Sequence, residues 1–333
     1  MTGYSSSEKK VLTKLQRGIE PVSRPFRNLD IPEDAVPALL RRTKEAGLLR
    51  RFGGIFDARR LGYKSILCAL DVSAEQIEEK AAIIGAHPGV THCYERLPLY
   101  GRGNYPRLWF TLAMLHDEFD QGLAALRAQI APCTLFELPA LRRFKIDVVF
   151  DLQTRNRDEV FPGLDPSAVP SQDETFRTFS ADEKALVRVL DQQIPLTERP
   201  FAALAEMIGQ TEENILSTLK IWKEQGVLRR IGAILYHREA GFKANAMCVW
   251  PVDGDIAAAG RRTAARPEVT HCYQRPRLET FPFDLYAMIH TGSWDETKAL
   301  YKDISFTCDL QNGELFASGR EFKKDSMKYF NHE

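Results

Sequence analysis

The segment VTHCYER (residues 90–96) recurs as VTHCYQR (residues 269–275), and this repeat decides how the chain is organised. Two further pairs recur at the same spacing: LRRFGG (49–54) with LRRIGA (228–233), and GYK (62–64) with GFK (241–243). At slightly shorter spacings, AMLH (113–116) matches AMIH (287–290), and RRFK (142–145) matches REFK (320–323). The first three pairs are 179 residues apart. A repeat of this length indicates a duplicated domain and not a solenoid, whose units are far shorter.

The repeat divides the chain into two copies, residues 1–150 and 176–333, joined by a linker at residues 151–175. The linker is rich in proline, aspartate and serine, a composition typical of connecting segments. In the first copy we predict a helix-turn-helix at about residues 8–52 and a βαββαβ unit at about residues 63–150. In the second copy the corresponding units are predicted at about residues 180–231 and 242–333.

The start of each copy has the pattern of a winged helix-turn-helix. Thr211 is a candidate N-cap and Gly226 a candidate C-cap of one helix, and Gly47 ends the corresponding helix of the first copy. A strand with paired arginines follows each glycine, as expected for a wing. The rest of each copy alternates strands and helices in the ferredoxin-like order βαββαβ, with the last strand of the first copy at Thr134–Leu138. The predicted fold class is therefore α+β, in two tandem copies.

Composition limits the possible functions. Lys and Arg number 45 and are balanced by 45 Asp and Glu, whereas nucleic-acid binders usually carry a basic excess. The N-terminal region has no apolar signal segment, and no stretch reaches the ~20 apolar residues of a membrane span. The 6 cysteines show no metal-ligand spacing, which favours free thiols in a reducing compartment. We therefore expect a cytoplasmic protein with no metal site of its own.

In each copy, strand alternation places the histidine, tyrosine and arginine of the repeated motif on one face of a strand. These residues are His92, Tyr94 and Arg96 in the first copy and His271, Tyr273 and Arg275 in the second. A buried arginine needs an anionic partner, and the intervening Glu95 and Gln274 face the other way. An anionic ligand would supply that partner.

A regular hairpin would bring a second histidine onto the same face. If the turn is centred near Asn104, His92 lies opposite His116, and the equivalent hairpin brings His271 opposite His290. A slip of one residue would reverse the faces. Histidine titrates near neutral pH, so these four side chains are candidates for proton transfer.

These motifs carry a resemblance to known families. The winged helix-turn-helix followed by βαββαβ, with the connector GVLRRIGAILYHREAGF (226–242), resembles the Lrp/AsnC family. The motifs THCY-x-R, AM-x-H and REFK resemble those of siroheme decarboxylases, here with the two usual subunits fused. The resemblance implies loss of CO2 from two acetate side chains of siroheme, giving 12,18-didecarboxysiroheme, in haem d1 or alternative haem biosynthesis. It implies no cofactor beyond the iron of the siroheme itself.

The resemblance also implies roles for particular residues. The catalytic candidates are His92, His271, His116, His290 and His237; the first two are the leading proton donors, and any of them is an alternative iron ligand. The candidates for binding substrate carboxylates are Arg96, Arg275, Tyr94, Tyr273, Arg50, Arg51, Arg229 and Arg230. His237 and Tyr236 correspond to Ala58 and Asp57 in the first copy, so the copies have diverged there. Whether one or both copies hold a working site stays open.

Two other functions fit the same architecture. One is an Lrp/AsnC-type transcription regulator that binds DNA through its winged helices, and the other is a tetrapyrrole sensor or carrier that releases no CO2. The sequence does not favour the regulator, because its predicted recognition helices offer few basic residues. These residues are Arg41, Arg42 and Lys44 in one helix and Lys220 and Lys223 in the other. We expect an internal pseudo-dimer of the two copies, with their sheets stacked face to face, and no membrane partner.

Overall fold

The computed structural model describes residues 3–101, 103, 105–146, 177–236, 244–325 and 327–331. The predicted linker at residues 151–175 and the candidate His237 lie outside the described residues. The elements of the first copy are α1 (Ser6–Arg17), α2 (Ala35–Glu45), β1 (Leu49–Phe56), β2 (Tyr63–Leu70), α3 (Ile77–Ala86), β3 (Val90–Pro98), β4 (Leu108–Leu115), α4 (His116–Ile130), β5 (Leu135–Leu138) and β6 (Arg142–Ile146). Those of the second copy are α5 (Ala181–Gln192), α6 (Pro200–Ile208), α7 (Glu212–Glu224), β7 (Leu228–Leu235), β8 (Ala244–Trp250), α8 (Ile256–Ala265), β9 (Val269–Gln274), β10 (Leu285–Thr291), α9 (Trp294–Thr307) and β11 (Glu314–Lys324).

Local capping explains where several helices begin. Ser5 and Ser180 each open a capping box, in which the serine side chain accepts from the backbone N–H of Glu8 or Glu183. Thr211 caps α7 in the predicted way, through its side-chain oxygen. The first helix of each copy therefore starts on the same signal, as expected for a duplicated domain.

The two helical units share one apolar core. Leu15 of α1 and Leu190 of α5 are fully buried in this core, together with Trp222 of α7. Strands β1 and β7 pair antiparallel into a two-stranded sheet, which we call the wing ribbon. The second copy contributes three helices to the unit, α5 to α7, and the first copy contributes α1 and α2. The winged units are therefore joined across the two copies.

The remaining strands form one nine-stranded sheet in the order β5-β2-β4-β3-β11-β8-β10-β9-β6. Strand β11 joins the two copies, because its first half pairs with β8 and its second half with β3. In the first copy the corresponding run is divided into β5 and β6 at Pro139, which has no N–H to donate to a ladder. Strands β5 and β6 are the two edges of the sheet although a short segment, residues 139–141, connects them. The sheet therefore curls round on itself.

The curl gives the sheet an outer and an inner face. Helices α3 and α4 pack on the outer face of the first copy, and α8 and α9 on that of the second. The inner face encloses an apolar cluster from both copies that includes Trp109, Tyr286 and Phe316, and we call it the inner cluster.

The internal pseudo-dimer is present, and inner-face residues of both copies pack together in the inner cluster. The sequence did not predict that the hydrogen bonds of β11 also join the two sheets into one. The predicted last strand at Thr134–Leu138 is β5. Strand β6, which the sequence did not predict, pairs with β9 of the other copy.

Candidate active site

In the first copy, the repeated motif forms a stack of three side chains on the inner face of the sheet. The rings of His92 and Tyr94 are stacked with centroids 6.1 Å apart, and the Arg96 guanidinium carbon lies 5.5 Å from the Tyr94 centroid. Tyr94 lies opposite Trp109 of the inner cluster. The prediction that the three side chains share one strand face is confirmed.

The second copy repeats this stack with His271, Tyr273 and Arg275. The two rings lie 6.3 Å apart, and the guanidinium carbon lies 4.9 Å from the tyrosine centroid. Tyr273 lies opposite Tyr286, which also belongs to the inner cluster. We call the stack around His92 with its neighbours the first half-site and that around His271 the second half-site.

Neither arginine of the stacks has a carboxylate partner among the described residues. Arg96 is 8% exposed and donates to the hydroxyl of Ser318. Arg275 donates to the backbone carbonyl of Leu138. Desolvation lowers the pKa of Arg96 to about 10 and also lowers that of Arg275. Guanidinium groups in such surroundings are suited to an anionic ligand.

The hairpin register of the first copy differs from the prediction. His92 lies opposite Thr111 and not His116, and the ladder is irregular between Val90 and His92. His116 is the first residue of α4 and is exposed. The prediction that His92 and His116 meet is wrong, because counting residues to a turn centre cannot detect a bulge or an uneven loop.

In the second copy, a second histidine does lie on the inner face. His290 follows Tyr286 and Met288 in the alternation of β10, and Met288 lies opposite His271. His290 itself lies opposite Asn245 of β8. The second half-site therefore has two histidines on one face, although they are not directly opposite each other as predicted.

The two AM-x-H segments, although alike in sequence, do not occupy equivalent positions in the two copies. Trp109 and Tyr286 occupy equivalent places, because each lies opposite the motif tyrosine of its copy. Counting from them along β4 and β10, Ala113 and not His116 is the counterpart of His290. Strand β4 therefore brings no second histidine into the first half-site.

The wing ribbon brings one arginine of each predicted pair to the half-sites. Arg50 of β1 is near enough for its charge to lower the pKa of His92. Its counterpart Arg229 of β7 forms an ion pair of 2.8 Å with Asp57, which also lies 3.4 Å from Arg143 of β6. Burial favours the neutral form of Asp57, but the arginines around it outweigh burial and lower its pKa to about 2.

The other two wing arginines are held in the helical unit. Arg51 lies 3.4 Å from Asp191 of α5 and donates to the carbonyl of Gly54 at 2.9 Å. Arg230 packs against Gly18 after α1. These contacts place both side chains against the helical unit, and their predicted role in binding substrate carboxylates stays a prediction.

The surroundings of His92 keep its imidazole neutral. Burial is the largest cause that lowers its pKa, to about 4, and the charges of Arg50, Lys324 and Arg96 lower it further, while Asp325 opposes them. Lys324 and Asp325 lie at the end of β11, whose ladder reaches His92. Sequence reasoning missed both, since only the pairing of β11 with β3 brings them here.

Arg143 was also missed as a residue of the site. It lies opposite Tyr273, on the strand that pairs with β9. The sequence did contain one sign of a special role: RRFK and REFK differ at their second residue, which is Arg143 in the first copy and Glu321 in the second. Sequence alone did not show that this strand pairs with the other copy.

The predicted recognition helices are attached to the rest of the protein. In α2, Arg41 donates to the carbonyl of Leu196 at 2.7 Å, and Lys44 donates to the side chain of Gln193 at 3.0 Å. In α7, Lys223 forms an ion pair of 2.6 Å with a glutamate of the first copy. Such internal partners compete with phosphate contacts, so the geometry does not favour the DNA-binding alternative.

All six cysteines are free thiols. Within the described part of the chain, no group of three or more His, Cys, Asp or Glu side chains is arranged to hold a metal ion. No helix in that part is long and apolar enough to span a bilayer.

Comparison with known proteins identifies the relatives of the chain. Residues 60–145 and 239–323 match the AsnC-like ligand binding domain, and residues 183–229 match the siroheme decarboxylase NirDL-like HTH domain. The chain is 36% identical over 331 residues to the siroheme decarboxylase of Hydrogenobacter thermophilus, covering 97% of this chain and 95% of that protein. It is 33% identical over 311 residues to the siroheme decarboxylase NirDL subunit of Paracoccus pantotrophus, covering 91% and 90%.

Solved structures agree with these relatives. The crystal structure of the siroheme decarboxylase NirDL superposes with a TM-score of 0.74 at 32% identity, covering 98% of this chain and 95% of that one. The structure of NirDL in complex with an iron-uroporphyrin III analogue superposes with a TM-score of 0.73 and the same coverage.

Proposed function

The chain belongs to the siroheme decarboxylase family, and we propose that it removes CO2 from siroheme held inside the curled sheet, beside the wing ribbon. It is a carboxy-lyase in which one chain carries both copies that form the pseudo-dimer. The relative crystallised with an iron-uroporphyrin III analogue supports an iron tetrapyrrole as the ligand.

The observation that carries this proposal is the arginine of each stack. Arg96 and Arg275 lie beside a tyrosine ring inside the curl and have no carboxylate partner among the described residues. Siroheme is a flat macrocycle fringed with carboxylates, and the planar guanidinium binds a carboxylate through two parallel hydrogen bonds. The stacks therefore supply the charge and the shape that such a substrate requires.

The reaction gives the protein two tasks. The bond between the acetate CH2 and its carboxylate breaks, CO2 leaves, and the electron pair stays on the CH2 carbon, where the conjugated macrocycle delocalises it. A proton then converts that carbon into a methyl group. Arginines hold the carboxylates that remain, and a histidine delivers the proton. We propose that the iron of the substrate is the only metal involved and that no added cofactor takes part.

His92 and His271 hold equivalent places, and each is the proposed proton donor to a substrate bound in its own half-site. We propose His290 as a second donor or an iron ligand in the second half-site, and we propose no role for His116, which is exposed. The low pKa of His92 describes the free protein. A carboxylate ligand bound in the first half-site would offset the surrounding cations and raise that pKa toward neutrality. The role predicted for His237 stays a prediction.

Anaerobic incubation of the full chain with siroheme, followed by mass spectrometry of the tetrapyrrole, tests the activity. We expect a product lighter by two CO2 units. Replacing both His92 and His271 by alanine should lower turnover about 100-fold or more, because a positioned acid contributes roughly that factor. His116→Ala is the control for removing an exposed histidine. Wild-type turnover in the double variant would refute the proposed donors.

The same incubation separates the alternatives. Siroheme that binds tightly but keeps its mass would identify a sensor or carrier. A regulator would instead retard DNA in a gel in a salt-dependent way. We propose the cytoplasm as the compartment, because free thiols persist where the surroundings are reducing.

A further inference from the structure

We propose that the two half-sites are unequal and that siroheme binds in the second half-site, where Asp57 of the first copy holds two of the three arginines, Arg143 and Arg229. This inference rests on the proposed function and specifies which of two equivalent places receives the substrate. It is carried by buried polar atoms, by the arrangement of arginines and by the position of His290.

Three polar atoms of the second half-site are buried without a hydrogen-bond partner among the described residues. They are the hydroxyl of Tyr286, Oδ1 of Asn245 and Nε of Arg275. The Arg275 guanidinium carbon lies 5.5 Å from the centre of the Tyr286 ring, so two of these groups form one cluster. Buried polar groups are nearly always hydrogen-bonded. A carboxylate of a ligand would accept from the Tyr286 hydroxyl and from Nε of Arg275, whereas Oδ1 of Asn245 needs a donor.

The counterparts of Tyr286 and Arg275 in the first half-site have hydrogen-bond partners within the protein. The counterpart of Tyr286 is Trp109, whose indole N–H donates to the carbonyl of Pro106 at 2.7 Å. The arginine of the stack, Arg96, donates to the hydroxyl of Ser318. These contacts leave less need for a ligand in the first half-site.

The second half-site also gathers three arginines from three elements. Arg143 of β6 lies opposite Tyr273, Arg229 comes from the wing ribbon, and Arg275 follows on β9. Burial raises the pKa of Tyr273, and the charges of all three arginines oppose that rise. All three guanidinium groups therefore lie near the ring of Tyr273. Asp57 binds Arg229 and Arg143 at 2.8 and 3.4 Å. One carboxylate orients these guanidinium groups without neutralising them, so the cluster keeps a net positive charge.

The first half-site has a carboxylate where the second has an arginine. Glu321 of β11 lies opposite Tyr94, the place that Arg143 holds opposite Tyr273. Glu321 also lies 3.7 Å from Lys324 and takes up part of its charge. A carboxylate at this position repels an anionic ligand.

The second half-site alone carries two histidines on the inner face of its hairpin. His271 and His290 lie on neighbouring strands, β9 and β10, whereas β4 has Ala113 at the place of His290. The second half-site therefore offers both a proton donor and a further donor or iron ligand, and with siroheme bound there His271, rather than His92, is the donor.

Titration of the full chain with siroheme under anaerobic conditions, followed by absorbance, tests the inference. We expect one siroheme per chain. Arg275→Gln should raise the Kd about ten-fold more than Arg96→Gln, its matched variant in the first half-site, because a charge-assisted hydrogen bond is lost. Two siroheme molecules per chain, or a larger effect of Arg96→Gln, would overturn the inference.

Tyr286→Phe covers the case in which an arginine variant fails to fold. It removes only a hydroxyl that has no partner in the described structure, so the unfolding temperature should hold or rise while siroheme binding weakens. Unchanged affinity would contradict the inference. CO2 release is measured on the same samples. Binding in the second half-site without CO2 release would refute the decarboxylase alone, and CO2 release with binding in the first would refute this inference alone.

Discussion

Burial first, and then charged neighbours from three strands, lower the proton affinity of His92. Arg50 comes from β1, Arg96 from β3 itself and Lys324 from β11, and each adds to the cost of a second positive charge. Asp325 opposes them but does not compensate for burial. The folded protein therefore protonates this histidine only well below neutral pH.

This imidazole should make the protein sensitive to acid. The pKa of His92 is about 4 in the folded state and about 6.5 in an unfolded chain, so below pH 6.5 the unfolded state binds more protons and stability falls. The loss begins near pH 6.5 and levels off below pH 4. Between pH 7 and pH 5, the free energy of unfolding should fall by about 2 kcal/mol more in the wild type than in His92→Gln, measured with denaturant. Parallel curves would contradict this, and His116→Gln controls for loss of an exposed histidine.

At the scale of elements, the wing ribbon packs against the first helix of each copy so closely that its central residues, Gly53 and Gly232, leave no room for a side chain. Gly53 and Gly232 lie opposite each other at its centre. A Cβ at Gly53 would come within 3.0 Å of the carbonyl oxygen of Leu190 in α5, and one at Gly232 within 3.0 Å of that of Leu15 in α1. Each helix thus packs on the strand of the other copy, which explains why the repeated arginine pair is followed by this glycine.

Alanine at either position should destabilise the protein. We expect Gly53→Ala and Gly232→Ala each to lower the free energy of unfolding by about 1–3 kcal/mol, because backbone atoms must shift to accept the methyl group. Gly85→Ala is the matched control: it lies in α3, and outside the helix's own backbone no heavy atom of the described residues lies within 4 Å of the added Cβ. This change should therefore be neutral or stabilising by up to about 1 kcal/mol. Thermal and denaturant unfolding measure both, and equal effects at all three positions would refute the argument.

The lysines of the RRFK and REFK segments hold helix ends across the copies. Lys323 of β11 donates to the carbonyls of Gly85, in the last turn of α3, and of His87, which follows the helix, at 2.8 and 3.0 Å. Lys145 of β6 donates to the carbonyl of Arg266 after α8, at 2.9 Å. A cation at the C-terminal end of a helix is favourable, so these lysines recur for a structural reason.

At the scale of the whole molecule, the two copies are interlocked. The wing ribbon takes one strand from each copy, β11 hydrogen-bonds to strands of both, and β6 completes the sheet of the second copy. The helical core also draws on both copies. Neither copy can therefore bury its apolar surface or pair its strand edges without the other.

The two copies should fold as separate chains only if both chains are present together. Residues 1–150 and 176–333, produced together as two chains, should assemble one to one and retain siroheme turnover, because the contacts described above do not need the connection. Either chain alone should aggregate, since it exposes strand edges and half of a core. Size-exclusion chromatography with a turnover assay measures this, with the intact chain as control. A single copy that is monomeric and active would contradict it.

The features that sequence alone determined are those set by local periodicity. The duplication, the helix-turn-helix followed by βαββαβ, and the shared face of His92, Tyr94 and Arg96 follow from repeats and from the two-residue alternation of a strand, which hold wherever the strand is placed. The glycine and capping signals that begin and end helices are equally local.

Tertiary structure alone decided the register of the hairpin strands and the pairing of strands from one copy with strands of the other. An irregularity beside His92 and an uneven loop separated it from His116, and the pairing of β6 and β11 with the opposite copy brought Arg143 and Lys324 to the half-sites. The meeting of Asp57 with Arg229 depends on two strands far apart in the chain. Such contacts arise from strand pairing over long sequence separations, and a local pattern of residues does not encode which partner a strand will meet.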